Sequence, residues 1–220
     1  MLNENLLLAD QRTEQWFFDR SGKFTGSRFI DLLSDPTTKA YKDLIKTIVG
    51  DRLSGQYQDK GIDSKSLKHG REMEPYAVEE YELQTGLLVS PAAFIKHSLI
   101  PFVGASPDGL IGLDGGLEIK CPWNRDIHLA RFVDGMEADH LPQVQGCMWV
   151  TGRKWWDFVS FDSRVLPHLR FYRQRIYRDE EYIAKLEKAA MVAEFAVRER
   201  LKMYDEKRIQ EILIERVKGN

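Results

Sequence analysis

The stretch from residue 100 to 122, IPFVGASPDGLIGLDGGLEIKCP, constrains the fold more than any other part of the chain. Short apolar runs alternate with glycine, proline and aspartate, the pattern of strands joined by tight turns. Gly109, Gly112 and Asp114-Gly115-Gly116 place turn chemistry between two such runs. A hairpin is expected there, and it brings Asp108 near Glu118. Side chains alternate along a strand, so Glu118 and Lys120 share one face while Ile119 points to the other. Three ionisable groups thus converge on one side of a sheet whose other side is apolar.

Two carboxylates and a lysine on one face suit metal-dependent hydrolysis of a phosphodiester. A hard cation such as Mg²⁺ prefers carboxylate, carbonyl and water oxygens, which Asp108, Glu118 and the Ile119 carbonyl would supply. Such an ion acidifies a bound water and stabilises charge on the phosphate. Lys120 would orient or deprotonate that water, or neutralise the transition state. An isolated Glu-x-Lys is more often a plain ion pair. The preceding Pro107-Asp108, the spacing and the hairpin favour the catalytic reading.

The rest of the chain supplies helices. Residues 13–20 (TEQWFFDR) read as a short helix, and Thr25 or Ser27 as the cap of a second one running to about Leu33. Tyr41, Leu44, Ile45, Ile48, Val49 and Leu53 fall at helical spacing, as do Met73, Tyr76, Ala77 and Tyr81 ahead of Gly86. Residues 54–64 read as an exposed loop. Residues 87–122 read as a strand meander, 125–134 and 142–150 as helices, and KWWDFVSFD and HLRFYRQRIY as strands. A C-terminal helix is expected from about residue 179 to Val217, with a break near Met203–Glu206. Without repeats or linkers, residues 1–220 read as one domain. The fold class expected is α/β or α+β, a central mixed sheet flanked by helices.

Charge excludes one simple function. The 32 Lys+Arg and 34 Asp+Glu residues give a net charge of −2, so the chain does not coat nucleic acid by charge alone. Its two cysteines, Cys121 and Cys147, are too few for a four-cysteine zinc site. No run is long and apolar enough to span a membrane, and the N-terminus lacks the basic segment of a signal peptide. A cytoplasmic protein with two reduced, buried thiols is expected.

Pro107-Asp108 followed by Glu118-Ile119-Lys120 resembles the core of the PD-(D/E)xK nuclease superfamily. The longer string SPDGL…GLEIKCP resembles, more narrowly, the phage lambda exonuclease family of alkaline exonucleases. Three further segments follow in matching order: Trp16 with Arg20-Ser21-Gly22-Lys23-Phe24-Thr25-Gly26-Ser27, then Gly70-Arg71-Glu72-Met73-Glu74, then Gln143-Val144-Gln145-Gly146-Cys147-Met148-Trp149-Val150. The resemblance implies a restriction-endonuclease-like α/β fold. It implies that Asp108, Glu118 and the Ile119 carbonyl bind metal, that Lys120 sits beside the attacking water, and that Glu74 completes the surroundings of a second ion. It implies that Arg20, Ser27, Ser106 and Gln143 hold a terminal 5′-phosphate, with Gln145 a second-tier candidate. The implied cofactor is Mg²⁺, two ions per active site, with Mn²⁺ as a substitute. The implied activity is processive 5′→3′ digestion of linear double-stranded DNA to mononucleotides, leaving a 3′ single-stranded tail for recombination. A homotrimeric ring and a single-strand annealing protein are the implied partners, in a bacterial or phage-infected cell.

Two other readings stay open: a superfamily endonuclease or RecB-like 3′→5′ exonuclease, and a non-catalytic module that binds DNA ends. Several features lie outside the motifs. Arg164, Arg170, Arg173, Arg175 and Arg178, interleaved with Phe171, Tyr172 and Tyr177, read equally as a DNA track or a solvated edge strand. Lys60 and Lys65 sit on or beside the exposed loop and read equally as DNA contacts or bystanders. Trp155-Trp156 reads as strand packing rather than a base-stacking platform. His69, His97, His128, His140 and His168 lack metal spacing and read as structural or solvated.

Overall fold

The computed structural model describes residues 11, 13–55, 64–205 and 209–211. Helix α1 (Glu14–Arg20) is capped by the Thr13 side chain, which accepts from the Trp16 N–H. Strand β1 (Phe24–Thr25) leads into a 3₁₀ turn at Gly26–Arg28 and the short α2 (Phe29–Leu32). Neither Thr25 nor Ser27 caps a helix: Thr25 makes no side-chain cap and is buried, and Ser27 lies inside the 3₁₀ turn. Helix α3 (Lys39–Ser54) is capped by Thr38, and α4 (Lys65–Thr85) by Ser64. Both end at a glycine in the left-handed region, Gly55 (φ 65°) and Gly86 (φ 69°), where a side chain would be strained. Of the expected loop at 54–64, Ser54 belongs to α3 and Ser64 caps α4; residues 56–63, Lys60 among them, lie outside the described residues.

The meander divides between two sheets. The first has three strands in the order β1, β4 (Val103–Ala105), β3 (Ile95–Lys96). The second has five: β2 (Val89–Ser90), β5 (Gly109–Ile111), β6 (Gly115–Lys120), β7 (Trp155–Phe161) and β8 (Phe171–Tyr177). Strands β5 and β6 form the expected hairpin, with Gly109 opposite Leu117. Strands β6 and β7 run parallel, with α5 (Arg125–Asp134) and α6 (Leu141–Thr151) between them in the chain. The architecture is the expected mixed α/β one, with mixed sheets flanked by helices.

Gly115 and Gly116 are strand residues, not turn residues. The turn occupies residues 112–114. Across the parallel ladder, Trp155 and Trp156 lie opposite these glycines. A Cβ on Gly115 would come within 2.1 Å of the Trp155 ring, and one on Gly116 within 2.2 Å of the Trp156 ring. The glycines let two indoles lie flat on the strand.

Two apolar clusters hold the layers. The larger joins α2, α3 and α6 to α7 (Glu180–Lys202) through Phe29, Leu44, Ile48, Met148, Leu186 and Ala190. The smaller packs α4, through Ala77 and Tyr81, on Leu117, Ile119 and Val159 of the five-stranded sheet. Glu194 of α7 reaches α3, where it takes a bidentate pair of bonds from Arg52 at 3.0 and 2.7 Å; Arg52 also donates to the Gly22 carbonyl. The terminal helix ends at Lys202, in a turn at residues 203–204 near the expected break, and residues 209–211 are again helical. No helix among the described residues is long and apolar enough to cross a membrane.

Candidate active site

The hairpin sets up the site. Asp108 precedes β5, and its Oδ2 accepts from the Ile119 N–H of β6 at 2.6 Å. This bond pins the carboxyl against the strand that carries Glu118. Glu118 is 1% exposed. Its Oε1 accepts from Lys120 Nζ at 2.5 Å and from Gln143 Nε2 at 2.7 Å. Its Oε2 is buried and accepts no hydrogen bond among the described residues. An ionised buried carboxylate normally has both oxygens satisfied, so this orphan oxygen is costly unless a cation joins it.

A cavity of about 710 Å³ opens over these groups. Asp108, Glu118, Ile119 and Lys120 form its floor; α4 supplies Gly70, Arg71 and Glu74, α6 supplies Gln143, and α1 supplies Trp16 and Phe17. Burial first, then the charge of Glu118, pushes the Asp108 carboxyl well above its usual range, with Glu74 adding to the rise; Lys120 and the Ile119 N–H pull the other way. Burial alone would lower Lys120, but Glu118 and Asp108 outweigh it and hold the ammonium above its usual value. Lys120 is therefore a cation here, suited to neutralising charge.

The other expected residues divide. Arg20 and Ser106 meet: Arg20 Nη1 donates to Ser106 Oγ at 2.8 Å, and Trp16 Nε1 donates to the same oxygen at 3.0 Å. The Arg20 guanidinium lies over the Trp16 ring, 4.2 Å from its centroid, which fixes the fork beside a cavity-lining residue. Ser27 is exposed and is not among the cavity-lining residues. Its neighbour Gly26 faces Gln143, and a Cβ there would meet Gln143 Cγ at 3.6 Å. Gln145 points away from the cavity: its Nε2 donates to the Tyr177 carbonyl and its Oε1 accepts from the Asp179 N–H, tying α6 to the start of α7.

Three cavity residues carried no signal in the motifs. Arg131 is 4% exposed, and its guanidinium binds both oxygens of Glu137 and donates to Ser160 Oγ at 2.8 Å. His140 sits beside them, held down to about 4 by burial and by the nearby Lys120 charge, so its ring is neutral near pH 7. The helical period of α5 would have placed His128 and Arg131 together on its inner face, a weak clue to a polar lining.

The two arginines of β8 are both paired with a carboxylate, although Arg173 is also exposed to solvent. Arg175 grips the buried Asp157 through two 2.8 Å bonds, Arg173 lies 3.4 Å from the same carboxylate, and Tyr81 donates to it from α4 at 2.8 Å. Arg178 binds Glu180 and the Met148 carbonyl. Both cysteines are buried, free thiols.

Residues 15–154 match the family of the YqaJ-like viral recombinase domain. Uncharacterized protein R354 of Acanthamoeba polyphaga mimivirus is 27% identical over 135 residues, 49% of this chain and 25% of that protein. The match thus spans a quarter of that relative's length. The crystal structure of an alkaline exonuclease, LHK-Exo, from Laribacter hongkongensis superposes with a TM-score of 0.83 at 32% identity, covering 90% of this chain and 99% of that one. Its complex with dAMP gives 0.84 at 33% identity, with the same coverage. A phage related exonuclease from Haemophilus somnus 129PT shares the fold, with a TM-score of 0.63 at 18% identity over 82% of this chain and 95% of that one.

Proposed function

The chain belongs to the YqaJ-like viral recombinase family, and on that premise we propose that it is a metal-dependent exonuclease that digests linear double-stranded DNA. The observation that carries this reading is the pair of carboxylates, half-buried Asp108 and buried Glu118, each fixed through one oxygen, with Glu118 Oε2 left without a donor among the described residues. A hard cation satisfies that oxygen where a protein donor does not. Among the described residues, no three His, Cys, Asp or Glu side chains gather closely enough to enclose an ion. The proposed ion-binding set is Asp108, Glu118 and the Ile119 carbonyl, completed by water or phosphate oxygens, with Glu74, which lines the same cavity, serving a second ion. Mg²⁺ fits such a set because it keeps several waters, and Mn²⁺ takes similar ligands.

When bound, the metal supplies an acidified water and charge stabilisation at the phosphate. The protein's own groups do the rest. Lys120, held as an ammonium, neutralises charge developing on the phosphate and orients the attacking water. Gln143 steadies Glu118. Arg20 and Ser106 offer donors for a terminal 5′-phosphate beside the cavity, with Gln143 and Ser27 nearby on the α6 side. This set favours 5′→3′ polarity, with mononucleotide products and a 3′ overhang. The described elements act as one nuclease domain, since Arg52 and Glu194 tie the terminal helix to α3. The same reading carries a homotrimeric ring, which gives processivity through topology, and a single-strand annealing protein that takes up the overhang in the cytoplasm of a bacterial or phage-infected cell.

One assay tests this. A linear duplex carries a 5′-phosphate on one end and a 5′-hydroxyl on the other, with a different fluorophore on each 3′ end, beside circular DNA and an EDTA control. The expected result is divalent-dependent loss of the 5′-phosphorylated strand with the circle intact. Cutting of the circle, or loss from the 3′ ends, refutes the polarity and favours another branch of the superfamily. No digestion with Mg²⁺ or Mn²⁺ refutes the nuclease.

A further inference from the structure

The two tryptophans paired in sequence are both engaged. Trp156 is fully buried, and the Arg175 guanidinium lies 3.6 Å from the Trp155 ring centroid. Trp123 differs from both. It is 52% exposed and follows Cys121 and Pro122, which line the cavity beyond Lys120.

Its ring is held from behind. The His69 imidazole meets it edge-on, with centroids 5.3 Å apart and planes at 84°. The Arg164 guanidinium sits 5.6 Å from the ring centroid. The same guanidinium donates to the Pro122 and Trp123 carbonyls at 3.1 and 3.0 Å, and is itself anchored by the buried Asp162 at 2.8 Å. On the other side the chain enters α5 at once, through the cap that Asn124 makes to the Asp126 N–H. Leaving half of an indole in water forgoes part of its burial energy. Trp123 is not itself a cavity-lining residue, but a ring fixed in place with an open surface, directly after the lining residue Pro122, has the properties of a base-stacking surface. Two cations are close by: Arg71 of α4 lines the cavity, and Arg125 follows Trp123 by two residues on the exposed surface.

We propose that Trp123 is a stacking platform for an unpaired nucleobase of the strand being degraded, next to the scissile phosphate. The proposal rests on the nuclease reading above and adds a substrate contact to it. Stacking uses the π-face common to all bases, so the platform tolerates any sequence.

The test uses the full chain in EDTA, so that nothing is cut. 5′-Phosphorylated duplexes carry 2-aminopurine at each terminal position in turn, on one strand or the other. The unmutated protein is expected to quench the fluorophore at one or two adjacent positions of the 5′-phosphorylated strand. Trp123→Phe should keep the quench. Trp123→Ala and Trp123→Leu should lose it, and leucine preserves the packing on His69 if alanine disturbs it. With Mg²⁺ restored, the alanine and leucine variants should raise KM about tenfold with kcat little changed, and phenylalanine should restore it. A Trp123→Leu variant with unaltered quenching and KM overturns the proposal, as does quenching confined to the opposite strand. A change in oligomeric state with unaltered DNA readouts also overturns it, and assigns the ring to a protein contact. If the unmutated protein neither binds duplex in EDTA nor cuts it with metal, the nuclease reading falls as well. If it cuts normally and only the Trp123 effects are absent, this proposal alone falls.

Discussion

Gln143 donates its side-chain amide to Glu118 Oε1 at 2.7 Å, the same oxygen that receives Lys120. One oxygen of the buried carboxylate is thereby saturated from two sides, by a helix and by its own strand. The other oxygen, Oε2, is buried and accepts no hydrogen bond among the described residues. The fixed orientation of Glu118 is a property of α6 as much as of β6.

The first prediction concerns Gln143 itself. Gln143→Leu removes the neutral donor and keeps the bulk. Groups that orient a metal ligand typically contribute about 10–100-fold in metal affinity. Isothermal titration with Mn²⁺ should show a loss of that order. Unchanged affinity would remove Gln143 from the support of Glu118.

Asp108→Asn removes a half-buried carboxyl whose ionisation Glu118 and Glu74 oppose. On the proposed reading Asp108 is a metal ligand, so cleavage should fall at least about 10³-fold. Thermal stability should hold or rise, because the like-charge repulsion goes too. Activity near that of the unmutated protein would sink the site assignment.

Arg20→Ala should cut the preference for a 5′-phosphate over a 5′-hydroxyl end by about tenfold or more, the scale of a charge-assisted bond. Ser106→Ala, which removes the oxygen shared by Arg20 and Trp16, should have a smaller effect of the same sign. Rates on the two end types, compared for each variant, decide the matter.

Glu194→Gln should destabilise the fold by about 3 kcal/mol, since it leaves Arg52 without its bidentate partner in a largely buried place. Burial pushes the Glu194 carboxyl up, but its bonds from Arg52 and Arg198 outweigh this and hold it below its usual value. A lowered carboxyl stabilises the fold above the unfolded group's pKa, and that stability is lost as pH falls through the folded value. Urea unfolding of the unmutated protein should therefore weaken below about pH 4.5. The variant should show a flatter acid limb.

The legible parts of this protein were the local ones. Asp108, Glu118 and Lys120 could be placed together from two-residue alternation and a hairpin, both short-range rules. The glycines at 115 and 116 were legible as glycines but not for their reason, because the indoles that require them come from β7, 40 residues further along the chain. Ser27 looked like a cap and lies in a 3₁₀ turn, a distinction set by how β1 enters the larger core. Arg173 and Arg175, two residues apart on one strand, share a face, but the carboxylate they meet, Asp157, belongs to the neighbouring strand. Arg131 and Glu137 were invisible as cavity residues for a similar reason. The burial of Arg131 beneath its partner Glu137 is a tertiary event, set by the packing of α5 against β7.

The two cysteines have a practical consequence for work at the bench. Burial lifts the Cys121 thiol to about 12 and the Cys147 thiol well above its usual value, and neither side chain reaches solvent freely. Thiolate is the form that alkylating reagents attack. The folded protein should therefore ignore maleimides at neutral pH and store well without reductant. A single cysteine introduced on the surface would accept a dye alone, giving a labelled protein whose encounters with DNA can be followed one molecule at a time.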